Sequence, residues 1–163
     1  MREGNIYLYY GGGKGKTTLA IGQGMRAVSE GLSVVMVQFL DYNNNKEYLT
    51  LKRMEPEFRA FRFEKRRESL EKADENEIRN EINLAFNFSK KILETGESEM
   101  LILDGVIDAV ANGLINEAEL VDVLQKRSSY MDIIITGSKL CPLVAECADY
   151  IYSINKEKTP LEE

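Results

Sequence analysis

The chain has 163 residues, with 21 lysines and arginines against 27 aspartates and glutamates, a formal net charge of −6. It has no histidine and no tryptophan, which excludes a Ser-His-Asp triad, a Cys-His nucleophile pair and a histidine zinc site. Its 44% hydrophobic and 29% charged content is that of a globular protein, and the negative balance argues against a main task of holding a nucleic-acid backbone.

Apolar runs and helical patterns alternate along the chain. Asn5–Tyr10 reads as a strand and Thr17–Glu30 as a helix stopped by Gly31. Ser33–Phe39 is nearly all apolar, the pattern of a strand buried on both faces of a parallel sheet. Asp41–Lys46 is polar and asparagine-rich, a loop, and Ala60–Glu64 is a short strand. The charged stretch Lys65–Arg79 merges into a helix with Ile78, Ile82, Ala85, Phe86, Ile92 and Leu93 on one face, ended by Gly96. Glu99–Asp104 is the next strand. Asn116 with Glu119 resembles a capping box ahead of Ala118, Val121 and Leu124. Asp132–Thr136 is another buried strand, Leu143–Cys147 a short helix, and Asp149–Ile154 a last strand. Strand–helix–strand alternation implies a parallel sheet with helices on both faces.

One motif carries most of the functional information: Tyr9-Tyr10-Gly11-Gly12-Gly13-Lys14-Gly15-Lys16-Thr17-Thr18, between a predicted strand and a predicted helix. Glycines let the backbone turn tightly and approach an anion. Loop N–H groups and the positive end of the helix then face phosphate oxygens. Gly11, Gly12, Gly13, Lys14, Gly15, Lys16, Thr17 and Thr18 are the expected nucleotide-binding residues, with Lys16 on the outer phosphates and Thr17 on Mg²⁺. The general pattern places a glycine where Tyr10 stands; here it lies one residue later, at Gly11, so the loop is shortened by one. Met100-Leu101-Ile102-Leu103-Asp104 is an apolar run ending in an acid, which makes Asp104 the expected second metal-linked residue. Residues 1–155 thus read as a single P-loop nucleotide-binding domain, and 156–163 as a polar tail that frays.

The shortened loop resembles that of the P-loop ATP:cob(I)alamin (corrinoid) adenosyltransferases, which read G-[ND]-G-K-G-K-[ST]-T. The likeness continues through Ala20, Gly22, Arg26-Ala27, Gly31, Val37-Gln38-Phe39, Leu103-Asp104, Leu114, Gln125-Lys126-Arg127, Ile135-Thr136-Gly137 and Ala148-Asp149. The resemblance implies a three-layer, P-loop NTPase-like (RecA-like) α/β fold with a mostly parallel sheet of about six strands. It implies ATP and Mg²⁺, with Lys16 and Thr17 as the catalytic residues. It implies transfer of the 5′-deoxyadenosyl group of ATP to the cobalt of a reduced corrinoid, with triphosphate leaving. A homodimer and a flavoprotein reductant are implied as partners. The cobalt is then the nucleophile, and no histidine base is needed. The chain departs from the family pattern at Gly105, where a glutamate is usual, and at Ser138, where an arginine is usual. Leu40-Asp41-Tyr42 replace a Lys-Gly, and Phe61 and Phe63 are the nearest aromatics to the family's corrin-packing region.

Three activities fit these residues: a corrinoid adenosyltransferase, an ATP-binding relative acting as a binding or regulatory module, and a small P-loop kinase or NTPase. The last is disfavoured, because Gly105 cannot activate water and nothing in the sequence places Asp108. The basic residues between Lys52 and Arg67 are interleaved with Glu55, Glu57, Glu64 and Glu68 and read as solvated faces. Tyr7 and Tyr9 share one strand face, where packing is their default role, whereas Tyr10 borders the nucleotide loop. Cys141 and Cys147 read as reduced core residues of one short helix. No run approaches the roughly 20 apolar residues of a membrane helix. The expected location is the cytoplasm, without membrane or nucleic-acid partners.

Overall fold

The computed structural model describes residues 2–40, 47–65 and 74–161. The elements are β1 (Ile6–Tyr10), α1 (Lys16–Ser29), β2 (Val34–Gln38), α2 (Glu47–Lys52), β3 (Phe58–Arg62), α3 (Glu75–Thr95), β4 (Met100–Asp104), α4 (Val106–Ala111), α5 (Glu117–Gln125), β5 (Asp132–Gly137), α6 (Pro142–Cys147) and β6 (Tyr150–Ser153). The strands form one six-stranded sheet in the order β3-β2-β4-β5-β1-β6. All five ladders are parallel, so the α/β expectation holds.

The apolar runs become the central strands. Every residue of β2, β4 and β5 is buried. Burying each Val, Ile or Leu there contributes about 1.5–3 kcal/mol. Pleating sends alternate residues into two cores. Val35, Val37, Leu101, Leu103, Ile133 and Ile135 meet the helical face that carries Ile82, Ile92, Ile107 and Leu120. Val34, Met36, Ile102 and Ile134 meet Ala20 and Ala27 of α1 with Leu51 of α2. Three layers follow: α1 and α2, the sheet, then α3 with α4, α5 and α6.

Local chemistry sets most of the ends. Asp74 caps α3 by accepting from the Asn76 amide at 3.1 Å, and Gly96 at φ 62° closes it. Asn116 caps α5 by accepting from the Glu119 amide at 3.1 Å. The Glu119 carboxylate pairs with Lys90 instead. Asp149 registers β6 on β1: its carboxylate accepts from the Ile6 amide at 2.7 Å, and its own amide donates to the Ile6 carbonyl at 2.9 Å. Cys141 precedes α6 and Cys147 ends it; both are free thiols, raised in pKa chiefly by burial.

Some boundaries differ from expectation. The strand expected at Ala60–Glu64 runs from Phe58 to Arg62, because it pairs from Val34↔Phe58 to Gln38↔Arg62 and seats Phe58 in the core. α2 and α4 were not expected. α4 is one and a half turns of the apolar Val106-Ile107-Asp108-Ala109-Val110-Ala111, too short to show a period. The loop expected at Asp41–Lys46 lies outside the described residues, as do Arg66, Arg67 and Glu68. Among the described residues, no helix is long and apolar enough to cross a membrane.

Candidate nucleotide site

The glycine-rich segment joins β1 to α1 at the C-terminal rim of the sheet, where ligands of open parallel sheets collect. Its backbone is held from two sides. The Gly11 amide donates to the Gly137 carbonyl at the end of β5, at 3.2 Å, and the Gly13 amide to the Ile154 carbonyl just beyond β6, at 3.1 Å. Gly11 has φ 130°, and a Cβ on it would run into the Ile154 carbonyl oxygen. Gly15 caps α1 in the left-handed region, and the Leu19 amide returns to its carbonyl at 2.8 Å. The Lys16 ammonium lies inside the turn, donating to the carbonyls of Gly11 at 2.6 Å and Gly13 at 3.0 Å. Gly12, Lys14 and Thr18 are exposed along the outer side.

Beside the loop lies a cluster of polar side chains, which joins Thr17 of α1 to residues from the C-terminal ends of β2, β3, β4 and β5. Asp104 ends β4 and is only 6% exposed. The Thr17 hydroxyl lies 3.0 Å from both of its carboxylate oxygens. The Thr136 hydroxyl donates to Asp104 Oδ1 at 2.7 Å and accepts from the Gly105 amide at 2.8 Å. Gln38 Nε2 donates to Asp104 Oδ2 at 3.4 Å, and Arg62 Nε donates to Gln38 Oε1 at 2.7 Å. The Arg62 guanidinium also stacks 4.7 Å over the Tyr48 ring. A buried carboxylate is costly unless it accepts hydrogen bonds, and these donors supply them.

The expected pair Thr17 and Asp104 is therefore brought together. A hydroxyl beside a carboxylate is a hard oxygen donor set, suited to Mg²⁺ held by one or two protein groups plus phosphates. Among the described residues no group of three or more acidic or cysteine side chains could hold a metal alone. Gln38, Thr136 and Arg62 were not named as site residues. The signal for the first two was present: each is a polar residue that follows an apolar run near the C-terminal end of its strand, as Asp104 does.

The departures have structural roles. Gly105 sits at φ 81° as the cap of α4, and a Cβ there would run into the Phe39 carbonyl oxygen. The backbone at this position is one that L side chains rarely adopt. Asp108, unplaced by sequence, accepts from both the amide (2.9 Å) and the hydroxyl of Ser138, tying α4 to the end of β5. Phe61 and Phe63 pack on Phe88 of α3, with ring centroids 4.6 and 5.4 Å apart. Tyr7 and Tyr9 pack as expected. Tyr7 stacks on Tyr150 at 5.0 Å, and Tyr9, 4% exposed, lies 5.4 Å from Tyr152. Of the basic residues read as solvated, Arg62 instead points into the rim cluster, while Lys52, Arg53 and Lys65 are exposed.

The fold is similar to that of the KaiC-like protein PH0186 from Pyrococcus horikoshii OT3, with a TM-score of 0.61 over 98% of this chain and 76% of that one, at 16% identity. A likeness at that identity concerns the RecA-like fold alone. In sequence the chain is similar to the corrinoid adenosyltransferase of Escherichia coli K12, 28% identical over 161 residues, 96% of this chain and 79% of the relative. It is 27% identical over 158 residues to the corrinoid adenosyltransferase CobA of Salmonella typhimurium LT2, with the same coverage. The model of the family described as ATP:corrinoid adenosyltransferase BtuR/CobO/CobP matches residues 2–163. With its loop, its paired Thr17 and Asp104 and this full-length match, the chain belongs to the ATP:corrinoid adenosyltransferase family.

Proposed function

We propose that the protein transfers the 5′-deoxyadenosyl group of ATP to the cobalt of a reduced corrinoid, releasing triphosphate. The observation that carries this reading is the Lys16–Thr17–Asp104 arrangement beside a shortened glycine loop, in a chain that matches the family over residues 2–163. The cobalt supplies the nucleophile, so the protein need provide only position and charge neutralisation. Loop amides and the Lys14 and Lys16 ammonium groups hold the phosphate chain and stabilise the charge that gathers on the leaving triphosphate. Thr17 and Asp104 would hold Mg²⁺, which supplies further neutralisation of that charge when bound. The rim hydrogen bonds from Thr136 and Gln38 fix the Asp104 carboxylate toward Thr17. We assign residues 1–155 to one catalytic domain, working in the cytoplasm as a homodimer with a flavoprotein reductant.

Gly105 favours a second reading. With no carboxylate following Asp104 and Asp108 engaged by Ser138, a relative that binds ATP without transfer is the alternative.

One assay separates the two. Protein, ATP, Mg²⁺ and chemically reduced corrinoid are mixed and the corrin absorbance is followed. An adenosyl–cobalt spectrum is expected, with the rate reduced roughly a hundredfold in Lys16→Ala. ATP binding by calorimetry without that spectrum, under any reductant, would instead establish the binding module.

A further inference from the structure

The chain beyond β6 does not leave the site. The Ile154 amide donates to the Tyr10 carbonyl at 2.8 Å and its carbonyl accepts from Gly13 at 3.1 Å, so Asn155 is delivered at the tip of the phosphate loop. From there Asn155–Pro160 runs past the loop and lines an open cavity of about 560 Å³ whose other side is Gly13 and Lys14. Among the described residues, the cavity is lined by Lys14, Lys156 and Lys158 and by the acidic Glu157. Three lysines in one lining stand out in a chain of net charge −6. Asn155 and Thr159 add neutral hydrogen-bonding groups to the lining.

Even with Mg²⁺ bound, the triphosphate that leaves carries more negative charge than Lys14 and Lys16 can neutralise. The amides of a glycine loop reach only one side of it. We propose that Asn155–Pro160 is the second wall of the nucleotide site, with Lys156 and Lys158 binding the polyphosphate of ATP and the triphosphate that leaves. This rests on the ATP-binding reading above and assigns binding residues to a segment the sequence alone marks as a polar tail. Since these lysines are solvent-exposed, their contribution falls with salt more steeply than that of the half-buried Lys16.

The test is calorimetric titration with Mg-ATP and with inorganic tripolyphosphate at low and high salt. The proteins are wild type, Lys156→Ala/Lys158→Ala, Lys16→Ala, and Lys91→Ala/Lys126→Ala as a control for net charge. All four are checked for unchanged melting. The tail variant is expected to bind both ligands roughly tenfold more weakly at low salt, with a shallower salt dependence; the charge control should match wild type. Wild-type affinity in the tail variant, while Lys16→Ala loses ATP, overturns the second wall and leaves the phosphate loop standing. An equal loss in the charge control overturns it too, as a net-charge effect. A wild type that binds neither ligand overturns both.

Discussion

The two flanks of the phosphate loop are built on opposite principles. On the β4–β5 flank, charge is enclosed: Asp104 is 6% exposed and Gln38 2%, each locked by neighbouring strand ends. On the β6 flank, everything is open. All four residues of β6 are exposed, Tyr150 at 45% and Tyr152 at 47%, and the lysines that follow stand in solvent. The enclosed flank obtains position through interlock, so each of its groups has one place to be. The open flank supplies charge without fixed geometry. Chemistry that depends on angle belongs on the first, and attraction that depends on charge belongs on the second.

Breaking the enclosed flank should have the largest effect. Asp104→Ala leaves the Thr17, Thr136 and Gln38 donors without their acceptor, which costs about 1–3 kcal/mol of stability. Adenosyl transfer should fall at least roughly a hundredfold, read from the corrin spectrum across a Mg²⁺ titration. Asp104→Asn preserves shape and removes charge. It should retain most of the stability and still lose the Mg²⁺ response; a normal Mg²⁺ titration in that variant would remove Asp104 from the metal site. Gly11→Ala strikes the junction of the flanks, since its φ of 130° and the Ile154 carbonyl leave no room for a methyl group. A loss of about 2 kcal/mol is expected in urea unfolding. Near-wild-type stability would mean that β6 is held more loosely than its hydrogen bonds indicate.

The smallest effect lies on the open flank and in alkali. Burial, with Tyr152 and Tyr7 nearby, pushes the Tyr9 phenol from 10.0 up to about 12. The folded state therefore holds this proton more tightly than the unfolded chain. The corresponding stability is present below pH 10 and is lost as pH rises through about 12. Tyr9→Phe gives up the hydrogen bond to Gln23 and should flatten that alkaline decline. An unchanged decline in unfolding free energy across this range would assign it to other groups.

What was legible in the residues followed the same division. All-apolar runs such as Met100–Leu103 are buried on both faces and could be read directly, as could the glycine loop and the acid that ends the run. The partners of that acid were harder. Gln38 and Thr136 join Asp104 only because β2 and β5 flank β4, and strand order is a long-range property that local pattern does not encode. Arg62 was hidden inside a charge run of which Lys52, Arg53 and Lys65 do face solvent. The tail was harder still: nothing in Lys156-Glu157-Lys158 says that the preceding carbonyl is anchored to Gly13.

The tyrosines at the open edge have an optical consequence. The chain has eight tyrosines and no tryptophan. Four of them, Tyr7, Tyr9, Tyr150 and Tyr152, form a continuous stack across β1 and β6. That stack ends two positions before Gly11 on one strand and two before Ile154 on the other. Near-ultraviolet absorption and emission of the unlabelled protein thus come in large part from a ladder that abuts the phosphate loop. Events at the loop can be followed by the intrinsic light of the molecule, with no indole to mask them and no dye attached.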